Sequence, residues 1–352
     1  MQRVYLHGSA VTTSWADADK SLQDLIFDCV TAALADAGIT ATDLDAVILG
    51  AHDLVDGRGL TNMVTAPAAA AYLKDETRLG DDGAAAFVLG DARVRSGSAR
   101  TCLVAAWGRA SEGPVDDISN ALFDPFTTRP LAMTEIGVSG LRATRALVEH
   151  EGYEHHRERA AARRSPRPDG PGRSSSPAWP LRSVELPVWS DVVAAVVLRD
   201  EPAGVEVLGV GMGTEPFELG DRDLLGLPAL RSASAQALAE AGCAISDVAV
   251  LELDGLTLFD EALAMEAVGA SALGEGMAGC AKDPRLEPAG ASAVGYCAPA
   301  MGLVRIARAA RRLLDTGPDG RALASGSSVV AAQTQAAVVL GRVAGNGSEG
   351  VQ

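Results

Sequence analysis

The sequence predicts an α/β protein made of two similar halves, because one pattern of segments occurs twice along its 352 residues. The clearest sign is a short repeat: residues 33–38 read Ala-Leu-Ala-Asp-Ala-Gly, and residues 237–242 read Ala-Leu-Ala-Glu-Ala-Gly. An aspartate follows each copy at the same spacing, as Asp43 and Asp247, and an apolar run comes next. Each copy predicts an amphipathic helix that ends at a glycine, a short loop and a buried strand. A repeat of this length indicates a duplicated α/β unit.

The elements around the two copies also keep the same order, which favours duplication over a chance match of alanine-rich segments. An alternating strand precedes each copy, and a glycine-flanked helix and a last strand follow it. These three elements are predicted at 4–8, 83–95 and 101–106 in the first half, and at 205–209, 300–314 and 335–341 in the second.

The segment between the halves has a different composition. Residues 150–180 hold six arginines and then a run of serines and prolines, which predicts a polar, mobile loop. We therefore predict an N-terminal half at 1–149, a reduced loop segment with a return strand at 150–200, and a C-terminal half at 201–352.

Composition excludes several classes of protein. The formal net charge is −16, whereas nucleic-acid binding needs clustered positive charge. No apolar stretch reaches the length of a membrane span, and residues 1–12 do not resemble a signal peptide, so we expect a cytoplasmic protein. The five cysteines are scattered without a C-x-x-C pair, so we expect free thiols and no metal site.

Several short motifs, taken in order, resemble the thiolase superfamily, and in particular its sterol-carrier-protein-x-type thiolases and thiolase-like lipid-transfer proteins. The matching segments in the first half are 43–47 (D-L-D-A-V) and Ser96-Gly97 followed by 102–104 (C-L-V). Those in the second half are 252–269, which begins with Glu-Leu and ends with Glu-Ala-Val-Gly, and 288–302. The resemblance implies the thiolase fold, in which two duplicated α/β halves form five layers, α-β-α-β-α, here with a reduced loop domain.

The resemblance also shows where thiolase chemistry would need its reactive groups. A thiolase uses a cysteine at a helix N-terminus to hold the acyl group, a second cysteine to move a proton, and histidines to stabilise oxyanions. The matching positions in this sequence are Gly80 and Val329 for the cysteines, and Asp254 and Tyr296 for the histidines. Moreover, no histidine follows His156. We therefore expect no ordinary thiolase activity.

Other side chains could replace the missing groups. Asp81 and Asp82 begin a predicted helix, where they could be N-caps or a carboxylate base with a raised pKa. Tyr296 could donate a hydrogen bond to an enolate or act as an acid or base, or it could be a core tyrosine. Asp254 is a further candidate by its position, and Cys297 could be a nucleophile or a small core residue.

The arginine-rich segment has two interpretations as well. In thiolases the corresponding loop domain holds the phosphates of coenzyme A, and guanidinium groups suit phosphates. Arg157, Arg163 and Arg164 are therefore candidate coenzyme A ligands, and the alternative is a solvated loop.

Two function classes follow from the resemblance. One is an atypical enzyme on acyl thioesters, such as a carbon–carbon bond lyase or acyltransferase: some relatives without thiolase cysteines are retro-aldolases that use tyrosines and a partner with a zinc ribbon and an OB-fold. The other is a catalytically inactive subunit of an active thiolase or ketosynthase-like chain. Both imply a homodimer or heterodimer, with residues 57–74 at the interface. Both also imply a coenzyme A or acyl-carrier-protein thioester as the substrate of the assembly, and no covalently bound cofactor.

Overall fold

The computed structural model describes residues 2–14, 20–57, 59, 62–163, 177–286, 295–317 and 319–343. Within these ranges, no helix is long and apolar enough to cross a membrane.

One mixed sheet runs through both halves of the chain. Its strands are β1 (Tyr5–Ser14), β2 (Ala46–Gly50), β3 (Asp75–Leu79), β4 (Thr101–Arg109), β5 (Asp191–Arg199), β6 (Val205–Thr214), β7 (Val250–Glu252), β8 (Arg321–Ser327) and β9 (Thr334–Arg342). Their order is β3-β2-β4-β5-β1-β6-β9-β8-β7, so each half contributes one side of the sheet. The two sides meet where β1 and β6 pair over only two residues, Tyr5 with Glu206 and Leu6 with Val205.

Among the described residues, ten α-helices surround and separate the two sides of the sheet, besides the four-residue helical turn Val329–Ala332. They are α1 (Leu22–Asp36), α2 (Asn62–Ala68), α3 (Gly83–Arg95), α4 (Val115–Leu122), α5 (Glu135–Glu149), α6 (Glu151–Arg163), α7 (Pro228–Glu240), α8 (Leu258–Ala267), α9 (Gly276–Lys282) and α10 (Ala298–Leu314).

The layer order confirms the predicted fold class. Helix α1 packs on β1 and β5, and α7 packs on β6 and β9, whereas α3 and α10 lie between the two sides and contact strands of both. The central helices approach closely because their contact residues are small. A Cβ added at Gly83 would lie 2.6 Å from the Cβ of Leu303 and 2.7 Å from that of Ala106. Ala84 and Ala300 are fully buried in the same layer.

The duplicated segments form the elements that their sequences predict. The repeat helices α1 and α7 are followed by Gly38 and Gly242, with φ of 67° and 61°, a left-handed conformation that glycine adopts without steric cost. The buried strands β2 and β7 come next, and both lie entirely in the core. Helix α3 has the predicted bounds.

The predicted loop at 150–180 is wrong in its first part, because Glu151–Arg163 is helix α6. Its buried stripe is only one residue wide in each turn, Tyr153, Arg157 and Ala160, and exposed charged residues flank it in the sequence. These three side chains are buried, and α6 packs against α9. Burial of this narrow stripe therefore makes a helix from a segment whose composition favours a loop. Residues 164–176 lie outside the described residues.

Candidate active site

A polar cavity lies where the second half of the sheet meets α5 and the start of α10. Its volume is about 40 Å³, room for one or two water molecules. Tyr296 and Asp254, both predicted as site residues, line it together with Glu135, Arg142 and Asp260. The structure thus brings together two predicted residues and three that sequence reasoning missed.

Tyr296 stands just before α10 and is anchored through its backbone. Its N–H donates to the carbonyl of Val188 (2.9 Å), and its carbonyl accepts from the N–H of Ser190 (3.2 Å). Its ring meets the ring of Trp189 edge to face, with centroids 5.4 Å apart. Burial, and after it the nearby carboxylate of Asp254, raise the pKa of Tyr296 well above its ordinary value. The phenol is therefore protonated and can act as a hydrogen-bond donor or an acid.

Asp254 follows β7, and only one of its carboxylate oxygens is paired. Oδ2 accepts from the hydroxyl of Ser327 (2.5 Å), and the backbone N–H donates to the hydroxyl of Ser325 (3.0 Å). Oδ1 is buried and has no hydrogen-bond partner among the described residues. Burial raises the pKa of Asp254, against the lowering effect of Arg305. A buried carboxylate with one unpaired oxygen can accept a proton from a bound molecule.

Glu135, Ser139 and Arg142 form a polar face on α5 that our sequence analysis did not single out. Their spacing of four and three residues places them on the same side of a helix, and all three line the cavity. The Arg142 guanidinium donates to Asp260 Oδ1 (3.0 Å), and the hydroxyl of Ser139 donates to Asp260 Oδ2 (2.6 Å). This spacing is the one signal by which the sequence could have revealed them.

The segment between β8 and β9 forms a turn of unusual backbone conformation. Val330, Ala331 and Ala332 have φ of 67°, 59° and 56°, the left-handed region that residues other than glycine rarely adopt. Val329 and Ala332 line the cavity. Strained backbone of this kind is concentrated at functional sites, because it persists only where the surroundings hold it.

Asp82 is the N-cap of α3 and does not line the cavity. Its Oδ1 accepts from the N–H of Ala84 (2.8 Å), and its Oδ2 accepts from the N–H of Gly302 in α10 (3.0 Å). Burial, followed by the nearby Asp254, raises the pKa of Asp82 well above its ordinary value. Asp81 accepts from the N–H of Asp82 through Oδ1 (2.7 Å). These contacts fit the N-cap interpretation, and Asp82 joins the two central helices.

Gly80, at the position where the resemblance implies a nucleophile, is exposed. A Cβ at this position would meet no atom within 4 Å. The glycine is therefore not required by packing.

Cys297 lines a second cavity, also of about 40 Å³, whose exposed lining is apolar. Its walls include Val115, Ile118 and Leu122, which share one face of α4. The two cavities adjoin, since Glu135, Trp189, Ala298 and Val329 line both. Burial, and then the nearby Asp191, raise the pKa of Cys297 well above its ordinary value. The thiol is therefore protonated and a poor nucleophile.

Two of the three arginines predicted to bind coenzyme A, Arg157 and Arg163, have contacts within the fold. Arg157 is buried: Nε and Nη2 donate to the two carboxylate oxygens of Glu185 (2.5 and 2.9 Å). Arg163 donates to the backbone carbonyls of Cys280 (3.1 Å) and Asp283 (2.7 Å). Arg164 lies outside the described residues. Arg157 in particular is enclosed by the fold, so it does not face an external phosphate as the sequence analysis expected.

Within the described residues, no group of three or more histidine, cysteine, aspartate or glutamate side chains is arranged to hold a metal ion.

Comparison with known proteins shows the fold alone. The fold is thiolase-like, and two solved structures share it along nearly the whole chain. The Ltp2-ChsH2(DUF35) aldolase has a TM-score of 0.73 and 20% identity, over 97% of this chain and 98% of that one. A monomeric SCP2-thiolase like protein type 1 (STLP1) from Mycobacterium smegmatis has a TM-score of 0.68 and 18% identity, over 96% of this chain and 77% of that one. Neither a family model nor a curated protein matches the sequence.

Proposed function

We propose that this protein is a carbon–carbon bond lyase that cleaves a β-hydroxyacyl thioester by a retro-aldol reaction. The observation that carries the proposal is the pairing, in one cavity, of a protonated phenol and a buried carboxylate with an unpaired oxygen, Tyr296 and Asp254. No cysteine or histidine is among the described residues of this lining. A retro-aldol reaction needs an acid–base pair and no covalent nucleophile, so Gly80 is compatible with it. The structural likeness to an aldolase supports the same class.

The chemistry follows from the two side chains. Asp254 Oδ1 takes the proton of the substrate's β-hydroxyl group, and the β-carbon becomes a carbonyl carbon. The bond between the α- and β-carbons breaks, and its electron pair forms the enolate of the thioester. Tyr296 donates a hydrogen bond to the enolate oxygen, where negative charge develops. The proton held by Asp254 returns to the α-carbon, so the substrate equals the sum of an aldehyde or ketone and an acyl thioester.

The environment of each group suits its role. The raised pKa of Asp254 makes it a stronger base than an exposed carboxylate, and general catalysis works best when the pKa lies near the working pH. The raised pKa of Tyr296 keeps the phenol protonated throughout the physiological range. Arg142 offsets the negative charge of Asp260, and among the described carboxylates of the cavity lining Asp254 has the unpaired oxygen.

The apolar cavity beside the site supports a substrate with a hydrocarbon group. It adjoins the polar cavity of Tyr296 and Asp254, because the two cavities share lining residues. Its walls offer dispersion contacts from Val115, Ile118 and Leu122. Both cavities are small in this structure, so a larger substrate would require α4 to move outward.

The alternative is a catalytically inactive subunit paired with an active thiolase or ketosynthase-like chain. The small volume of both cavities favours it. Under either proposal the protein works in an assembly, as a homodimer or with a thiolase-like or zinc-ribbon/OB-fold partner. Exposed apolar side chains near the sheet edge at β3 support this: Met63, Tyr72 and Leu73 are 75%, 73% and 86% exposed.

A turnover assay tests the lyase proposal. The protein, alone and with the products of neighbouring genes, is incubated with 3-hydroxyacyl-CoA thioesters that carry hydrocarbon groups of increasing size. The proposal expects a carbonyl compound and a shortened acyl-CoA in equal amounts. If no such thioester is cleaved, with or without a partner that binds, the inactive-subunit alternative is favoured.

Light scattering and pull-down test the assembly. We expect a dimer or a complex with a neighbour, weakened by Leu73→Asp. A soluble monomer at micromolar concentration that retrieves no product of a neighbouring gene would contradict both the dimer and the complex.

A further inference from the structure

The turn at 329–332 keeps a conformation that its own residues disfavour. Three successive residues, Val330, Ala331 and Ala332, are left-handed, and valine is branched at Cβ, which makes this conformation especially unfavourable. An isolated peptide of this sequence would leave it. Something in the surrounding structure must therefore hold the turn.

Charged side chains grip the central peptide units of the turn from both sides. Both carboxylate oxygens of Glu135 accept from the N–H of Ala331 (2.9 and 3.0 Å). On the other side, Arg142 and Arg222 donate to the carbonyl of Ala331 (3.0 and 3.2 Å). Arg222 also donates to the carbonyl of Val330 (3.0 Å). These are charge-assisted hydrogen bonds, which are stronger than those between neutral groups.

Glu135, Arg142 and Arg222 together form a clamp on the turn. Its two arginines are themselves fixed by the rest of the fold. Arg142 and Arg222 are each only 7% exposed, and Arg222 is held by two more backbone carbonyls, those of Pro216 (2.7 Å) and Phe217 (2.9 Å). Arg142 also pairs with Asp260, a residue of the cavity wall. Both guanidinium groups are therefore held by contacts outside the turn as well as by the turn itself.

The turn also forms part of the cavity wall. Val329 and Ala332, on either side of the gripped peptides, line it, and Val329 lines the apolar cavity as well. Arg222 is not among the described residues of either lining, so its hydrogen bonds reach the cavity wall through the turn.

We infer that Glu135, Arg142 and Arg222 are positioning residues, which hold the turn in its left-handed form and so set the part of the cavity wall formed by Val329 and Ala332. Without the clamp, at least one of residues 330–332 returns to negative φ and the wall moves. The inference about the turn stands on the contacts alone; its effect on turnover rests on the proposed lyase function.

Arg222→Met is the primary test, because it removes the donors, keeps much of the volume and leaves the cavity lining intact. A crystal structure should show negative φ at one or more of residues 330–332. In a lyase, kcat should fall at least tenfold, and KM should change by less than threefold if the wall acts on the reacting centre. Arg231→Met is the matched control: Arg231 is exposed and donates to one backbone carbonyl, that of Gly226 (3.3 Å). It should change neither the turn nor turnover.

A second pair of variants guards against a folding failure and tests the cause. Glu135→Ala removes the other side of the clamp, and thermal melting confirms that each variant is folded. Arg222→Met with Val330→Gly should keep the left-handed turn and recover most of kcat, since glycine adopts this conformation without strain.

The outcomes separate the two ideas. If residues 330–332 stay left-handed in both Arg222→Met and Glu135→Ala, the inference is overturned, whatever the activity. If the turn flips but the wild-type protein cleaves no thioester, the clamp stands and the lyase proposal falls.

Discussion

Replacing Tyr296 by phenylalanine separates catalysis from stability, because the change removes one hydroxyl and keeps the ring. The edge-to-face contact with Trp189 remains, so we expect the free energy of unfolding to change by less than about 1 kcal/mol. Turnover depends on the lost group instead. A general acid or oxyanion donor contributes roughly 10²- to 10⁴-fold, which is about 3 to 5 kcal/mol of activation free energy.

The assay measures kcat/KM for thioester cleavage, and urea unfolding at the same pH measures stability. Tyr153→Phe is the matched control, since Tyr153 is buried, lines neither cavity in the described structure, and donates to Glu266 Oε1 (2.8 Å). A hydrogen bond to a charged group is worth about 1.5 to 3 kcal/mol, so this control should lose stability and keep turnover. Full activity in Tyr296→Phe, with wild-type turnover established, would remove Tyr296 from the mechanism. A loss of more than about 2 kcal/mol of stability in Tyr296→Phe would indicate a packing role.

Three other predictions follow from positions outside the proposed acid–base pair. Gly80→Cys should fold like the wild type and be alkylated by iodoacetamide, since position 80 is exposed and a Cβ meets no atom within 4 Å. It should still give no acetyl-CoA from acetoacetyl-CoA and coenzyme A, and thiolysis at an ordinary rate would contradict the motif assignment. Burial raises the pKa of Asp56 to about 6, whereas the unfolded value is about 4, so its ionisation destabilises the fold as pH rises from about 4 to about 6. Relative to Asp56→Asn, the wild type should lose up to about 3 kcal/mol over that window in urea unfolding, and a gap that does not change with pH would refute the argument. Gly108→Ala should cost about 1 to 3 kcal/mol, because the new Cβ would clash with the Sγ of Cys297, and Cys297→Ala should recover part of the loss. Equal losses in both backgrounds would place the strain elsewhere.

Much of the fold could be predicted because its signals are local. The glycines after α1 and α7, the apolar strands β2 and β7, and the glycine-flanked helix α3 are each encoded within a few neighbouring residues. Helix α6 could not be predicted in this way. Its buried stripe contains Arg157, whose charge is paired with Glu185, 28 residues further along the chain.

The sequence by itself determined the duplicated architecture and the helix start at Asp81 and Asp82, and its motif resemblance gave Tyr296 and Asp254, which meet in the cavity, as candidates. Periodicity, caps and motif spacing carry this information, because each depends on neighbours along the chain. Only the tertiary structure decided that Glu135 holds the N–H of Ala331, 196 residues away, and that the turn at 330–332 is left-handed. Valine and alanine do not signal such a conformation. It exists because charged groups from distant segments converge on two peptide units, and that convergence is a property of the packed fold.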